Sequence, residues 1–138
     1  MDYKNITVCI VDDDDSVRNA LKRLIRCAGF KAKSFASAME FIDSQYHKRT
    51  SILLLDQRMP EMSGLELQKY LIDSGIDMPI IFITSFDLDE SRQQAKQAGA
   101  IGYLQKPVDE NALLDTIQRA VSSFSVSKTT INKQKETI

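Results

Sequence analysis

The stretch Ile6–Asp15, ITVCIVDDDD, decides the fold because an almost wholly apolar run ends abruptly in four acidic residues. Such a run is typical of a strand that is covered on both faces, as in a parallel sheet. Apolar residues then recur at intervals of three and four from Val17 to Ala28, with basic residues between them. This spacing predicts an amphipathic helix, and Gly29 is expected to end it.

The alternation of a short apolar run with a segment of helical period repeats about five times along the chain, which predicts a parallel α/β sheet. The further strands are predicted at Phe30–Phe35 (a weaker edge strand), Ser51–Asp56, Ile80–Thr84 and Ile101–Leu104. The further helices are predicted after Ser37, from Leu65 to Ile72, near Asp89–Ala98 and at Asn111–Val121.

The second helix begins with a recognisable cap, because Ser37 and Glu40 have the spacing of a capping box. Met39, Phe41 and Ile42 are expected to form the buried side of this helix.

Composition excludes several classes of protein. A length of 138 residues predicts one domain. The 18 basic and 19 acidic residues give a net charge of −1, so we expect no nucleic acid to bind this domain itself. Cys9, Cys27 and the single His47 match no metal-ligand spacing, and both cysteines are expected to be small buried hydrophobes. Without a long apolar run or a signal peptide, the chain is expected to be cytoplasmic, with no membrane partner.

Chemistry-bearing residues stand where the predicted strands end. Asp12 and Asp13 follow the first strand, Asp56 ends the third, Thr84 ends the fourth, and Lys106 comes two residues after the fifth. Ligands of an open parallel sheet bind beyond the carboxyl ends of its strands, so these five side chains are expected to converge.

The expected cluster has the composition of a phosphoryl-transfer site. Neighbouring carboxylates repel one another unless a cation joins them, and oxygen ligands suit Mg²⁺. Lys106 and the Thr84 hydroxyl would contact an incoming phosphoryl group, and a carboxylate would be its covalent acceptor. Asp14 and Asp15 are instead expected to cap the first helix or to lie in its first turn.

Three segments together resemble the receiver domain of two-component response regulators. They are Ile10–Asp14 (the acidic pair), Leu55–Gly64 (the phosphoacceptor loop) and Leu104–Pro107 (the lysine turn). The resemblance covers about residues 5 to 124 and is to the branch with a C-terminal LuxR-type helix-turn-helix domain, of which the nitrogen-fixation regulators are familiar members. It implies a flavodoxin-like (βα)5 doubly wound parallel sheet with strand order 2-1-3-4-5.

The resemblance also implies how the chain is organised. Residues 1–124 would form the receiver domain. Residues 125–138 would be either a polar tail or the start of a linker to an output domain absent from this chain, which would control transcription.

The resemblance implies a role for each residue of the cluster. Asp56 would accept a phosphoryl group from a sensor histidine kinase, which makes the chain a phosphoryl acceptor rather than an enzyme. Lys106 and Thr84 would hold the phosphoryl oxygens, and Thr84 and Tyr103 would act as switch residues. The Lys106–Pro107 peptide would be cis. The groups implied to hold Mg²⁺ are Asp12 (through a water), Asp13, Asp56 and the Arg58 backbone carbonyl.

Phosphorylation is expected to promote a homodimer through the face formed by helix four, strand five and helix five. The fourth helix has few apolar residues and should be loosely held, and Ile101, Phe86 and Leu88 could form a small apolar patch near it. Ser85-Phe86-Asp87 departs from the small residue, histidine and glycine usual in this branch, which leaves the lifetime of the phosphoryl group open.

Two alternatives stay open at this point. Asp12 and Asp14, followed by Ser16-Val17, also fit the motif of haloacid-dehalogenase-type phosphatases, with Asp12 as nucleophile and Asp14 as acid. A receiver-like adaptor would bind partners without being phosphorylated. One phosphate on Asp56 per protein chain would favour the receiver. Catalytic hydrolysis of phosphomonoesters would favour the phosphatase.

Overall fold

The computed structural model describes residues 3–85 and 88–122. Within these ranges, five parallel strands form one sheet in the order β2-β1-β3-β4-β5, which confirms the predicted strand order. The strands are β1 (Thr7–Val11), β2 (Lys31–Phe35), β3 (Ile52–Asp56), β4 (Ile80–Thr84) and β5 (Gly102–Gln105). The helices are α1 (Asp15–Cys27), α2 (Ala38–Ser44), α3 (Gly64–Asp73), α4 (Asp89–Gln97) and α5, whose described part covers 110–122.

The helices cover both faces of the sheet. Along β1, Val8 and Ile10 pack with the buried residues of α1 and α5, whereas Cys9 and Val11 pack with those of α2, α3 and α4. This alternation follows from the pleat of a strand, which points successive side chains to opposite faces. The central strands are therefore apolar at nearly every position, and each fully buried Leu or Ile contributes roughly 1.5–3 kcal/mol.

The predicted N-caps at Asp14 and Ser37 are confirmed, but the Glu40 carboxylate accepts the Ala36 amide instead of completing the predicted capping box on Ser37. Asp14 is the N-cap of α1, where its carboxylate accepts hydrogen bonds from the backbone amides of Ser16 and Val17. Ser37 caps α2 through the amide of Glu40. α1 ends at Cys27, and Gly29 follows with φ 101°, a conformation that glycine adopts at little cost.

Two expectations about burial are wrong. Met39 is exposed, because Ala38, Phe41 and Ile42 form the inward side of α2 and Met39 lies about 100° around the helix from its neighbour. Cys27 is also exposed, whereas Cys9 is buried. The sequence pattern also missed a short 3-10 helix at Tyr46–Arg49.

Some expectations fall outside the described residues. The predicted tail or linker lies within residues 123–138, which are outside the described ranges. The aromatic member of the predicted apolar patch is residue 86, which is also outside them. Among the residues that are described, no helix has the length and apolar character needed to cross a bilayer.

Candidate functional site

Three of the predicted site residues lie side by side at the carboxyl edge of the sheet. Asp12 follows β1 directly, Asp56 is the last residue of β3, and Thr84 is the last residue of β4. Asp56 is paired with Ile83, so Thr84 lies one residue further along the adjacent strand. The exposed fractions of Asp12, Asp56 and Thr84 are 2%, 5% and 0%. Carboxylates are rarely buried so deeply, which marks this edge as a candidate functional site.

The acidic residues converge on one point. Asp12, Asp13 and Asp56 each offer a carboxylate oxygen, and these atoms lie within 4.8 Å of one another. Burial and the charge of Asp12 raise the pKa of Asp56 from its ordinary value of 3.8 to about 6, although Lys106 acts in the opposite direction. The donors are all hard oxygen atoms whose mutual repulsion a divalent cation would relieve, so the residues fit Mg²⁺.

Lys106 partly compensates the negative charge of this cluster. Its Nζ lies 2.7 Å from Oδ2 of Asp12 and 3.5 Å from Oδ2 of Asp56. Burial lowers the pKa of Lys106, but the hydrogen bonds and charges of the two carboxylates outweigh it and raise the pKa above 10.5. The Lys106–Pro107 peptide is cis, and the Lys106 amide donates to the Thr84 carbonyl at 2.7 Å. The contacts with Asp12 and Asp56 hold the ammonium group as a cation beside these carboxylates.

Asp12 is held by hydrogen bonds on its backbone and its side chain. Its amide donates to the Phe35 carbonyl of β2 at 3.2 Å, and its Oδ1 accepts from the Asp14 amide at 2.9 Å. The Asp14 carboxylate caps α1 and is not part of the acidic cluster. This arrangement gives Asp14 no role as the acid of the phosphatase alternative.

The loop after Asp56 is closed by two residues to which the sequence analysis gave no role of their own. Gln57 accepts the Gly64 amide on its backbone carbonyl at 2.9 Å and the Leu65 amide on its Oε1 at 2.8 Å. A Cβ atom on Gly64 would lie 2.5 Å from the backbone oxygen of Asp56, so only glycine fits there. Gly64 within the phosphoacceptor motif was the signal available in the sequence. Arg58 lies exposed in this loop, two residues after Asp56.

Tyr103 of β5 contacts both β4 and α4. Its ring stacks on Phe82 of β4 at 5.8 Å between centroids, and the guanidinium carbon of Arg92 in α4 lies 5.3 Å from the ring centroid. Gln68 of α3 is buried and donates through Nε2 to the Ala95 carbonyl of α4 at 3.1 Å. α4 is therefore connected both to the predicted switch residue on β5 and to α3.

Comparison with known proteins agrees with this geometry. The family described as the response regulator receiver domain matches residues 8–118. The chain is 40% identical over 121 residues to the response regulator protein TmoT of Ectopseudomonas mendocina, covering 88% of this chain and 55% of TmoT. It is 37% identical over 114 residues to the transcriptional regulatory protein FixJ of Rhizobium meliloti, covering 83% of this chain and 56% of FixJ. The chain thus spans about half the length of these two curated relatives.

A solved structure of the response regulator StyR superposes with a TM-score of 0.84 at 39% identity. The superposition covers 96% of this chain and 67% of the StyR chain.

Proposed function

Because the chain belongs to the response regulator receiver domain family, we propose that it accepts a phosphoryl group on Asp56 from a phosphohistidine of a sensor histidine kinase. The N–P bond of the donor breaks as a P–O bond forms with a carboxylate oxygen of Asp56, and the released histidine keeps the electron pair. The observation that carries this proposal is the buried Asp56 carboxylate, with the Lys106 ammonium 3.5 Å away and two further acids around it.

The surrounding residues have separate tasks in this proposal. Asp12, Asp13, Asp56 and the Arg58 carbonyl would hold Mg²⁺, which when bound supplies positive charge against the phosphoryl oxygens. Lys106 adds a second, permanent positive charge at the same place. The Thr84 hydroxyl, at the end of the adjacent strand, is the hydrogen-bond donor for a phosphoryl oxygen. Each chain is phosphorylated once and is then released by the kinase. It therefore acts as a phosphoryl acceptor rather than as an enzyme with a separate substrate.

The kinase has a surface to contact beside this site. Asp56 is too buried for a donor to reach it without touching the rim. A groove of about 450 Å³ borders Lys106 between α1 and the segment after β5. Its apolar lining comprises Val17, Ala20, Leu21, Leu24, Pro107 and Val108. We propose that the kinase contacts this groove through an apolar surface next to its phosphohistidine.

The test of the phosphoacceptor is labelling by acetyl phosphate in the presence of Mg²⁺. We expect one phosphoryl group per chain on a peptide containing Asp56, and none in Asp56→Asn. Asp73→Asn is the matched control, because Asp73 is exposed and pairs with Lys69 on the surface of α3. Labelling of Asp12 instead would contradict the assignment, and multiple turnovers of a phosphomonoester would favour the phosphatase. A chain that binds a kinase but takes up no phosphate would be the adaptor.

The output of phosphorylation is proposed to be a homodimer through α4, β5 and α5. Leu88 and Ile101 are 52% and 45% exposed on this side, and Ala95 is the only residue of α4 that is buried. A helix with so few buried contacts can shift at a small energetic cost. Sedimentation with and without beryllofluoride should show a dimer only with the phosphate mimic, and an unchanged monomer at high concentration would contradict the proposal.

Control of transcription is the proposed purpose of this switch. The relative FixJ is described as a transcriptional regulatory protein, and it is about twice as long as the segment that it shares with this chain. We place the DNA-binding function in a helix-turn-helix domain outside this chain, since a net charge of −1 gives the receiver no broad positive field. Electrophoretic mobility shifts with this chain alone should show no DNA binding at physiological salt.

A further inference from the structure

We propose that Arg18 of α1 is a positioning residue that orients the Asp12–Asp13 peptide for cation binding. Arg18 is not a member of the acidic cluster, which is formed by Asp12, Asp13 and Asp56. Arg18 is one of the basic residues that stand between the apolar residues of α1, and its side chain is only 14% exposed. The proposal rests on the proposed function in one respect, namely that Asp12 and Asp13 hold Mg²⁺.

The contacts of Arg18 carry the inference. Its Nη1 donates to the backbone oxygen of Asp12 at 2.7 Å, and its Nη2 forms an ion pair with the Asp15 carboxylate. The planar guanidinium thus holds two acceptors on opposite sides of the turn between β1 and α1. Arginine can do this because its donors form a rigid fork, which the single ammonium of lysine cannot reproduce.

The hydrogen bond from Arg18 fixes the backbone carbonyl of Asp12, whose amide and carboxylate are held by other groups. The Asp12 amide is bonded to Phe35, and its carboxylate is bonded to the Asp14 amide and Lys106. The Asp12 carbonyl belongs to the peptide that leads to Asp13, and Arg18 holds this carbonyl. The plane of this peptide sets the direction in which the exposed Asp13 side chain leaves the backbone. It therefore sets how the Asp13 carboxylate reaches the acidic cluster.

Charge and positioning predict opposite effects of removing Arg18. If its positive charge were all that mattered, its loss would strengthen Mg²⁺ binding, since a nearby cation repels Mg²⁺. If Arg18 positions the acidic pair, its loss weakens Mg²⁺ binding, and outer contacts of metal ligands typically change affinity about 10- to 100-fold. The sign of the change therefore separates the two roles.

The experiment is calorimetric titration of Mg²⁺ into the wild type, Arg18→Leu, Arg18→Lys and Arg119→Leu. Arg119 is the control, because it forms an exposed i,i+4 ion pair with Asp115 and its replacement removes the same charge from α5. We expect Arg18→Leu to bind Mg²⁺ about tenfold more weakly than Arg119→Leu, with Arg18→Lys between the two. A loss smaller than about threefold, or tighter binding, overturns the proposal. If Arg18→Leu does not fold, Arg18→Lys decides, and wild-type affinity in that variant overturns the proposal.

A second measurement needs no metal. The Asp14 amide donates to the Asp12 carboxylate, so its hydrogen exchange reports whether Asp12 keeps its orientation. We expect this amide to exchange faster in Arg18→Leu and to be unchanged in Arg119→Leu, and equal exchange in both overturns the proposal. If the wild type itself failed to bind Mg²⁺, the proposed function would fail, while this exchange measurement would still decide the role of Arg18.

Discussion

Replacing Asp56 by asparagine is expected to stabilise the folded domain when divalent cations are absent. The Asp56 carboxylate is buried beside Asp12, and the contact with Lys106 only partly compensates this arrangement. Asparagine has nearly the same shape but no charge, so it removes both the cost of burying the charge and the repulsion from Asp12. The functional site is thus expected to lower stability until a cation binds.

The magnitude follows from the pKa of Asp56, which burial and Asp12 raise from 3.8 to about 6. A carboxyl group with a raised pKa binds its proton more tightly in the folded state, so its contribution favours folding at low pH. That contribution is lost as the pH rises through about 6. At about pH 7.5 the charged carboxylate lowers the free energy of unfolding by about 3 kcal/mol. At about pH 4.5 the cost falls to about 1 kcal/mol, because the carboxyl is then mostly protonated in the folded state and partly protonated in the unfolded state.

The assay is urea unfolding followed by circular dichroism, with a chelator present, at about pH 4.5 and about pH 7.5. The free energy of unfolding of Asp56→Asn should exceed that of the wild type at both pH values. This difference should be larger by about 2 kcal/mol at the higher pH. Adding Mg²⁺ at the higher pH should narrow this difference, because only the wild type keeps the full ligand set. Asp73→Asn, on the surface of α3, should show no comparable dependence on pH. A gain from Asp56→Asn that is absent, or equal at the two pH values, would refute the reasoning.

Three further predictions concern other parts of the molecule. Asp13→Ala should weaken Mg²⁺ binding more than about tenfold by calorimetry, whereas Asp14→Ala should leave it within about threefold and cost ~1 kcal/mol of stability through the lost cap. Burial raises the pKa of Cys9 to about 11, so iodoacetamide should alkylate the exposed Cys27 first, and equal rates by mass spectrometry would contradict the structure. Gln68→Leu should speed hydrogen exchange of the α4 amides because it removes the buried bond from α3, and unchanged exchange would show that this bond does not hold the helix.

Much of the fold could be predicted because its signals are local. The limits of β4 were predicted exactly as observed, and those of the other strands to within one residue, because apolar runs bounded by polar residues can be recognised within a few positions. The cap at Asp14 was equally local, since a carboxylate can reach amides two and three residues ahead. The wrong expectation for Met39 has the opposite cause. Which side of α2 faces inward depends on the sheet beneath it, and the short apolar pattern of that helix fits more than one orientation.

The candidate site divides in the same way. The sequence by itself determined which residues meet at the candidate site, because Asp12, Asp56 and Lys106 stand at or just after strand ends that a parallel sheet brings to one edge. Only the tertiary structure decided that Lys106 lies closer to Asp12 than to Asp56, and that the pKa of Asp56 is raised. It likewise decided that Arg18 turns inward to the Asp12 carbonyl. Distances and burial depend on segments that are far apart in the chain and meet only when the sheet and its helices pack together.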